Sequence, residues 1–148
     1  MMNVNLIVVG KLKESYFREA CAEYSKRLKA FCKLTVTELA ESRLSDDPSE
    51  KEIKAALSAE AKAMRSLLAG KDCFNIALCI EGTKLSSENL AEKIKDVSVS
   101  GKSTLNFVIG SSFGIDEEIK KMCGFRLSMS EMTFPHMLAR VMVLEQIY

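Results

Sequence analysis

The stretch Leu127-Ser128-Met129-Ser130-Glu131-Met132-Thr133-Phe134-Pro135-His136 gathers the scarcest chemistry of the chain: its only histidine and one of its two prolines. Histidine is the side-chain type that exchanges protons near neutral pH, so His136 is the candidate general base. If Pro135 opens a helix, Arg140 lies one turn beyond His136 on the same face. A guanidinium there would stabilise negative charge developing on a substrate, or meet a phosphate. Taken alone, the same residues have a plainer reading, with His136 as a surface residue at a helix start and Met129, Met132 and Phe134 as core.

Two other segments are likewise small, polar and glycine-bearing, namely Glu81-Gly82-Thr83-Lys84 and Gly110-Ser111-Ser112-Phe113-Gly114. Neither the GxxxxGK[ST] nor the GxGxxG phosphate fingerprint is present, and the helix expected after Gly114 opens with Asp116-Glu117-Glu118. Carboxylates at a helix N-terminus favour its dipole and repel phosphate. The sequence therefore predicts a ligand without phosphate and with positive charge, such as S-adenosylmethionine, and disfavours a flavodoxin-like phospholigand protein. The five cysteines form no CxxC pair, and His136 has no cysteine at metal-ligand spacing, so no metal site is expected. They read as reduced, mostly buried thiols of a cytoplasmic protein. The apolar start, residues 1–10, is too short to span a membrane and lacks signal-peptide features, so no membrane is expected.

Elements that would position these loops follow from periodicity. Residues 6–9 form a β-branched run ended by Gly10, and Phe17, Ala20, Cys21, Tyr24, Leu28 and Phe31 then keep the spacing of a buried helix stripe. Residues 34–37 read as a second strand. Asp47-Pro48-Ser49-Glu50 predicts a helix with Asp47 as N-cap, a stripe of Ile53, Leu57, Ala61, Met64 and Leu68, and Gly70 as a left-handed stop. Residues 74–80 read as an apolar strand buried on both faces. A helix capped by Ser86 or Ser87 runs through Leu90 and Ile94. A strand over 104–109, a short helix over 116–122, a strand over 125–129 and a final helix from Pro135 complete the chain. This alternation predicts one α/β domain, a mostly parallel sheet covered by helices on both faces, with ligands beyond the carboxyl ends of the strands.

With 148 residues, 47% of them hydrophobic, the chain can bury a core without disulfide staples. A net charge of +1 gives no strong electrostatic case for a nucleic-acid binder. Between Gly10 and Lys33, however, the basic residues Lys11, Lys13, Arg18, Lys26, Arg27, Lys29 and Lys33 outnumber the acids, and the following stretch turns acidic. That basic segment is the candidate contact with RNA, beside the plainer reading of two solvated helix faces.

Several segments together resemble a known family. Val8-Val9-Gly10-Lys11-Leu12-Lys13, Ile80-Glu81-Gly82-Thr83-Lys84-Leu85-Ser86-Ser87-Glu88, Phe107-Val108-Ile109-Gly110 and the terminal Leu127 to His136 stretch with Arg140 and Glu145-Gln146 resemble the large-subunit ribosomal RNA methyltransferase H family, of the SPOUT class. The most specific element is Met132-Thr133-Phe134-Pro135-His136 followed by an arginine and Glu-Gln. The resemblance implies a SPOUT-type fold with a C-terminal trefoil knot, a single domain over 1–148 and a homodimer. It implies an enzyme that moves a methyl group from S-adenosylmethionine to N3 of a pseudouridine in 23S ribosomal RNA, within assembled ribosomes. Carried onto this sequence, the cofactor would be bound by Leu78, Gly110, Met129, Ser130, Glu131, Met132, Thr133 and Phe134, with Gly82 and Leu127 close by. The catalytic roles fall to His136 and Arg140, because a uracil-type N3 keeps its proton at neutral pH and needs a base or an anion-stabilising group.

Two substitutions depart from the family pattern, Ser111 for a second glycine and Glu131 where lysine or leucine is usual. Relatives are also expected to continue past the position of Tyr148 with an arginine-bearing tail that this sequence lacks. That difference keeps a second function class in view, a non-catalytic S-adenosylmethionine-binding or ribosome-associated module. From Met137 onward the last helix is apolar on more than one face, which agrees with a dimer interface and also with a central buried helix.

Overall fold

The computed structural model describes every residue except Met1, Arg43, Ser45 and Ser112, so Ser112 of the Gly110 loop lies outside the described residues. The chain alternates β1 (Asn3–Val9), α1 (Ser15–Leu28), β2 (Lys33–Leu39), α2 (Glu50–Leu68), β3 (Cys73–Lys84), α3 (Ser87–Val99), β4 (Thr104–Ile109), α4 (Glu117–Met122), β5 (Phe125–Ser128) and α5 (His136–Ile147). All neighbouring strands pair in parallel, in the order β2-β1-β4-β3-β5. Parallel strands need a crossover between them, and crossovers are right-handed. Connections that step one way along this sheet, α1 and α3, therefore fall on one face, and those that step the other way, α2 and α4, on the opposite face.

The buried side chains divide accordingly. Val4, Leu6 and Val8 of β1 pack with Leu28 of α1, Leu90 and Val97 of α3, and Val143 and Leu144 of α5. Ile7 and Val9 point the other way, to Ala61, Met64 and Leu68 of α2 and Ile119 of α4. The period of two along the strand feeds both layers, which is why the central strands read as continuous apolar runs.

The exception in those runs is polar. Asn5, Asn106 and Asn75 stand abreast on β1, β4 and β3. Asn5 Nδ2 donates to Asn106 Oδ1 (2.8 Å), and Asn106 Nδ2 donates to Asn75 Oδ1 (2.9 Å). Asn75 Nδ2 in turn donates to the carbonyls of Leu68 (3.0 Å) and Met122 (3.3 Å). The ladder thus ends on the C-terminal carbonyls of α2 and α4, groups that a helix leaves without partners of its own. Asn75 interrupts the apolar strand expected over 74–80 because both helix ends on that face need a donor.

Several sequence expectations shift. The N-cap of α2 is Ser49, not Asp47: Ser49 Oγ accepts from Glu52 N, and Ser49 N donates to Glu52 Oε1. This reciprocal capping box satisfies two orphan donors, more than a single Asp47 cap would. Gly70 is not left-handed, since the positive-φ glycines are Gly10, Gly101 and Gly114; it is small because a Cβ there would stand 2.9 Å from Cys73 Sγ. Of the α1 stripe only Leu28 is buried, and Phe31 lies past the helix end, 63% exposed. Cys32 and Cys79 are buried, while Cys21, Cys73 and Cys123 are half-buried; all five thiols are free. Among the described residues, no helix is long and apolar enough to cross a membrane.

Asn106→Ala would orphan the amide of Asn5 and the carbonyl oxygen of Asn75 inside the sheet. It should lower the unfolding free energy by about 2–4 kcal/mol, read by urea denaturation, since each buried unpaired group costs roughly 1–3 kcal/mol. A loss under about 1 kcal/mol would mean that the ladder contributes little.

Candidate functional site

A cleft of about 640 Å³ opens beyond the carboxyl ends of β3, β4 and β5, in the range of small-molecule sites. Three segments wall it: Leu78 to Glu81 from β3, the turn from Ile109 to Ile115, and the connection from Leu127 through Ala139.

Each wall has a local cause. In the turn after β4, Gly114 N donates to the Ser111 carbonyl (2.9 Å) and Phe113 N to Ser111 Oγ (3.4 Å). Gly114 has φ +96°, a conformation that side-chain-bearing residues rarely adopt. A Cβ on Gly110 would stand 2.1 Å from the Gly114 carbonyl oxygen, so only glycine allows the turn to close on itself. In the connection after β5, Ser128 Oγ donates to the Ser130 carbonyl (3.0 Å) and Met132 N donates to Ser130 Oγ (3.0 Å). These bonds fold the chain back so that Met129, Ser130 and Phe134 face the cleft. β3 is irregular where it meets the cleft: Leu78 and Thr83 both pair with Leu127, and the residues between them bulge out of the ladder.

Of the residues singled out from the sequence, Leu78, Gly110, Leu127, Met129, Ser130, Met132, Thr133, Phe134 and His136 line the cleft. Gly82, Glu131 and Arg140 do not. Gly82 lets two backbones approach, since a Cβ there would lie 2.6 Å from the Arg126 carbonyl oxygen. Glu131 points to solvent, where it pairs with Lys84 (2.7 Å). Arg140 is 1% exposed; Nη1 bonds Glu38 Oε2 (2.8 Å) and Nη2 bonds the Gly10 carbonyl (2.9 Å). The expectation that Arg140 meets a substrate or a phosphate is corrected: its charge is used inside the fold, tying α5 to the ends of β1 and β2.

His136 is half-buried, and its Nε2 is enclosed without a hydrogen-bond partner among the described residues. Lys120 and Glu81 also line the cleft and form an ion pair, with Glu117 on the far side of the ammonium (3.4 Å). The bond to Lys120 holds the Glu81 carboxyl below its ordinary value. Burial is the largest single influence on Lys120 and opposes its charge, but the bond to Glu81 and the charges of Cys79, Glu81 and Glu117 together outweigh it, and the ammonium is held above its ordinary value. Arg126 also acts on Glu81, so Glu81 and Glu117 are set against Lys120 and Arg126 and the charges at this mouth balance. Cys79, also on the wall, is pushed up by burial first and by Glu81 second, so it stays a thiol rather than a nucleophilic thiolate. Sequence reasoning gave no individual role to Ile80 and Phe113, though both lie in the segments it singled out, and missed Lys120. Ile80 and Phe113 are apolar side chains left 51% and 43% exposed at the cleft, and Lys120 reaches it from the inner side of α4. Among the described residues no three metal-ligating side chains stand together.

The family described as predicted SPOUT methyltransferase matches residues 2–148. A ribosomal RNA large subunit methyltransferase H of Bifidobacterium adolescentis is 48% identical over 151 residues, and those of Acetivibrio thermocellus and Streptococcus suis are each 43% identical over 147 residues. In every case the match covers 99% of this chain and 92% of the relative. A parallel sheet with this cleft at its carboxyl edge and full-length identity at this level have one explanation: the chain belongs to the SPOUT methyltransferases, in the ribosomal RNA large subunit methyltransferase H family.

Proposed function

We propose that the protein transfers a methyl group from S-adenosylmethionine to ribosomal RNA, at N3 of a pseudouridine in 23S RNA within assembled ribosomes of the cytoplasm. The observation that carries this reading is the cleft itself: the Gly110 turn and the connection after β5 face each other across a mainly apolar space. The donor set fits the cofactor. Leu78, Ile109, Met129 and Phe134 offer a dry surface for a flat base, and the turns carry backbone amides and carbonyls.

When bound, S-adenosylmethionine supplies an electrophilic methyl group on positively charged sulfur. The chain does the rest. Leu78, Gly110, Met129, Ser130, Thr133 and Phe134 hold and orient the cofactor, and Ile80, Phe113 and Met132 at the rim keep water off. His136 lines the cleft, and its Nε2, which makes no hydrogen bond among the described residues, accepts the N3 proton once the entering base uncovers it. Arg140 acts as a positioning residue, because its bonds to Glu38 and Gly10 fix the first turn of α5 that carries His136.

The homodimer and the trefoil knot belong to the same reading. Met137, Leu138, Val141 and Met142 of α5 are only half covered, and Tyr16 and Phe31 are more than 60% exposed. Apolar surface of this kind favours a second copy. For the knot, the support is the connection from β4 to β5, which passes across β3, and the return of α5 to the α1 face.

Titration calorimetry with S-adenosylmethionine, followed by methyl incorporation into ribosomes and nucleoside mass spectrometry, tests the reading. Binding followed by a methylated pseudouridine supports it, binding without incorporation supports the non-catalytic module, and absence of binding sinks both. Gly110→Ala should weaken cofactor binding by roughly 10-fold or more, since the turn must open to admit the methyl. His136→Ala should slow methyl incorporation by about 100-fold while cofactor affinity changes by less than about 3-fold; unchanged turnover removes it as the base. Sedimentation at micromolar concentration should give twice the 16.4 kDa chain mass, and a species of that mass alone would overturn the dimer.

A further inference from the structure

Methylation at a uracil-type N3 makes two electrical demands. The N3 proton must leave, for which His136 is placed, and the charge left behind spreads onto the two carbonyl oxygens that flank N3. A hydrogen-bond donor aimed at one of those oxygens stabilises the developing anion. Arg140 is not that donor, because it is 1% exposed and its guanidinium is bound to Glu38 and Gly10.

Among the described residues that line the cleft, Lys120 is the one lysine or arginine. Its side chain is 13% exposed, against 66% for Lys121 beside it on α4. Lysine ordinarily carries its ammonium out to water. Lys120 holds it at the cleft wall instead, between Glu81 in the bulged part of β3 and Glu117 one turn earlier on α4 (3.4 Å). Cys79 of β3 lies close by, and Arg126 of β5 acts on the same Glu81. With these charges in balance, an entering uncharged base meets a donor rather than a net field. An ammonium has three N–H donors. Glu81 and Glu117 take two, and the third has no partner among the described residues. The hydroxyls of Ser130 and Thr133 also line the cleft, but a hydrogen bond from an ion is roughly twice as strong as one from a neutral donor.

We propose that Lys120 is a further catalytic residue, donating its third N–H to a carbonyl oxygen of the target base as the N3 proton passes to His136. The inference rests on the methyl-transfer reading above and adds the group that holds the charge. The N3–H bond breaks toward His136 Nε2, the freed pair on N3 forms the bond to the methyl carbon, and the electrons of the methyl–sulfur bond stay on sulfur. Lys120 keeps its own proton throughout. Glu81 and Glu117 are its positioning residues: two acceptors fix a flexible stem, so the donor needs no reorganisation when the charge appears.

Single-turnover methyl incorporation into ribosomes, followed from about pH 6.5 to about pH 9, tests this role. Lys120→Met keeps the apolar stem and removes the charge; it should slow the step by about 100-fold near pH 7. The deficit should shrink as pH rises, because the N3 proton then leaves with less help. Ribosome KM, and S-adenosylmethionine affinity by calorimetry, should stay within about 3-fold. Lys120→Arg restores a cation and should recover about 10-fold of the loss or more. Glu81→Gln breaks the same ion pair but leaves the ammonium, and it should cost less than about 10-fold. Thermal melting verifies folding, and Lys120→Gln carries the same comparison if Lys120→Met is unfolded. The proposal falls if Glu81→Gln costs as much as Lys120→Met, since Lys120 then serves only the wall. It also falls if the loss is equal at every pH, if it lies in ribosome KM or cofactor affinity, or if turnover is unchanged. Failure of the wild-type protein to methylate ribosomes would sink the methyl-transfer reading itself.

Discussion

Among the described residues Arg140 is the largest side chain that the fold buries completely, and a guanidinium cannot be left in such a place without partners. Its two partners lie at the far end of the sequence: the Gly10 carbonyl just after β1 and the Glu38 carboxylate near the end of β2. Gly10 meets it in a left-handed conformation, φ +87°, that glycine adopts without strain, and its own N–H is held by the Leu39 carbonyl (2.8 Å). One side chain therefore locks the last helix onto the ends of the first two strands. His136 begins that helix one turn earlier, and the connection after β5 must end where α5 begins. The position of the cleft's outer wall follows from this tie.

A second constraint works from the other side of the sheet. Three asparagines in adjacent strands carry hydrogen bonds across the layer and deliver them to the last carbonyls of α2 and α4. Apolar packing between sheet and helix is not directional, whereas this ladder fixes register and height at once. With both helix ends held, Lys120 of α4 and Glu60 of α2 are presented at definite places, one to the cleft and the other to a smaller cavity beside it.

The site combines tightly defined backbone space with loosely defined side-chain chemistry. Gly110 and Gly82 serve close approach, Gly114 serves a left-handed turn, and serine hydroxyls at 111, 128 and 130 shape the loops. The ionic groups nearby, Glu81 and Lys120, pair with one another rather than forming a phosphate cradle. That agrees with the acidic opening of α4, whose Asp116 side chain caps the helix through Glu118 N.

Much of this was legible in the sequence. Periods of two and of three to four in the apolar residues, with serine caps and glycine stops, marked the strands and helices to within a few residues. The glycine-bearing and serine-bearing loops pointed to the carboxyl edge of the sheet, and nine of the twelve residues singled out do line its cleft. Local pattern failed where a residue serves a distant partner and where neighbouring residues compete for one role. Asn75 interrupts an apolar strand for the sake of two helix ends, and Gly70 is small to make room for Cys73. Ser49 outcompetes Asp47 because its cap is reciprocal.

Arg140 marks the division most clearly. By itself the sequence determined that a cation stands one turn after His136, because a helix repeats every 3.6 residues. Whether that cation faces solvent, a substrate or the interior depended on Glu38 and Gly10, which lie 102 and 130 positions away in the sequence. Local spacing is set by backbone geometry that every chain shares; the environment of a charge is set by what the fold brings alongside it. For the same reason Glu60, an ordinary acid within an amphipathic stripe, became a buried carboxylate beside a cavity only once α2 had packed on the sheet.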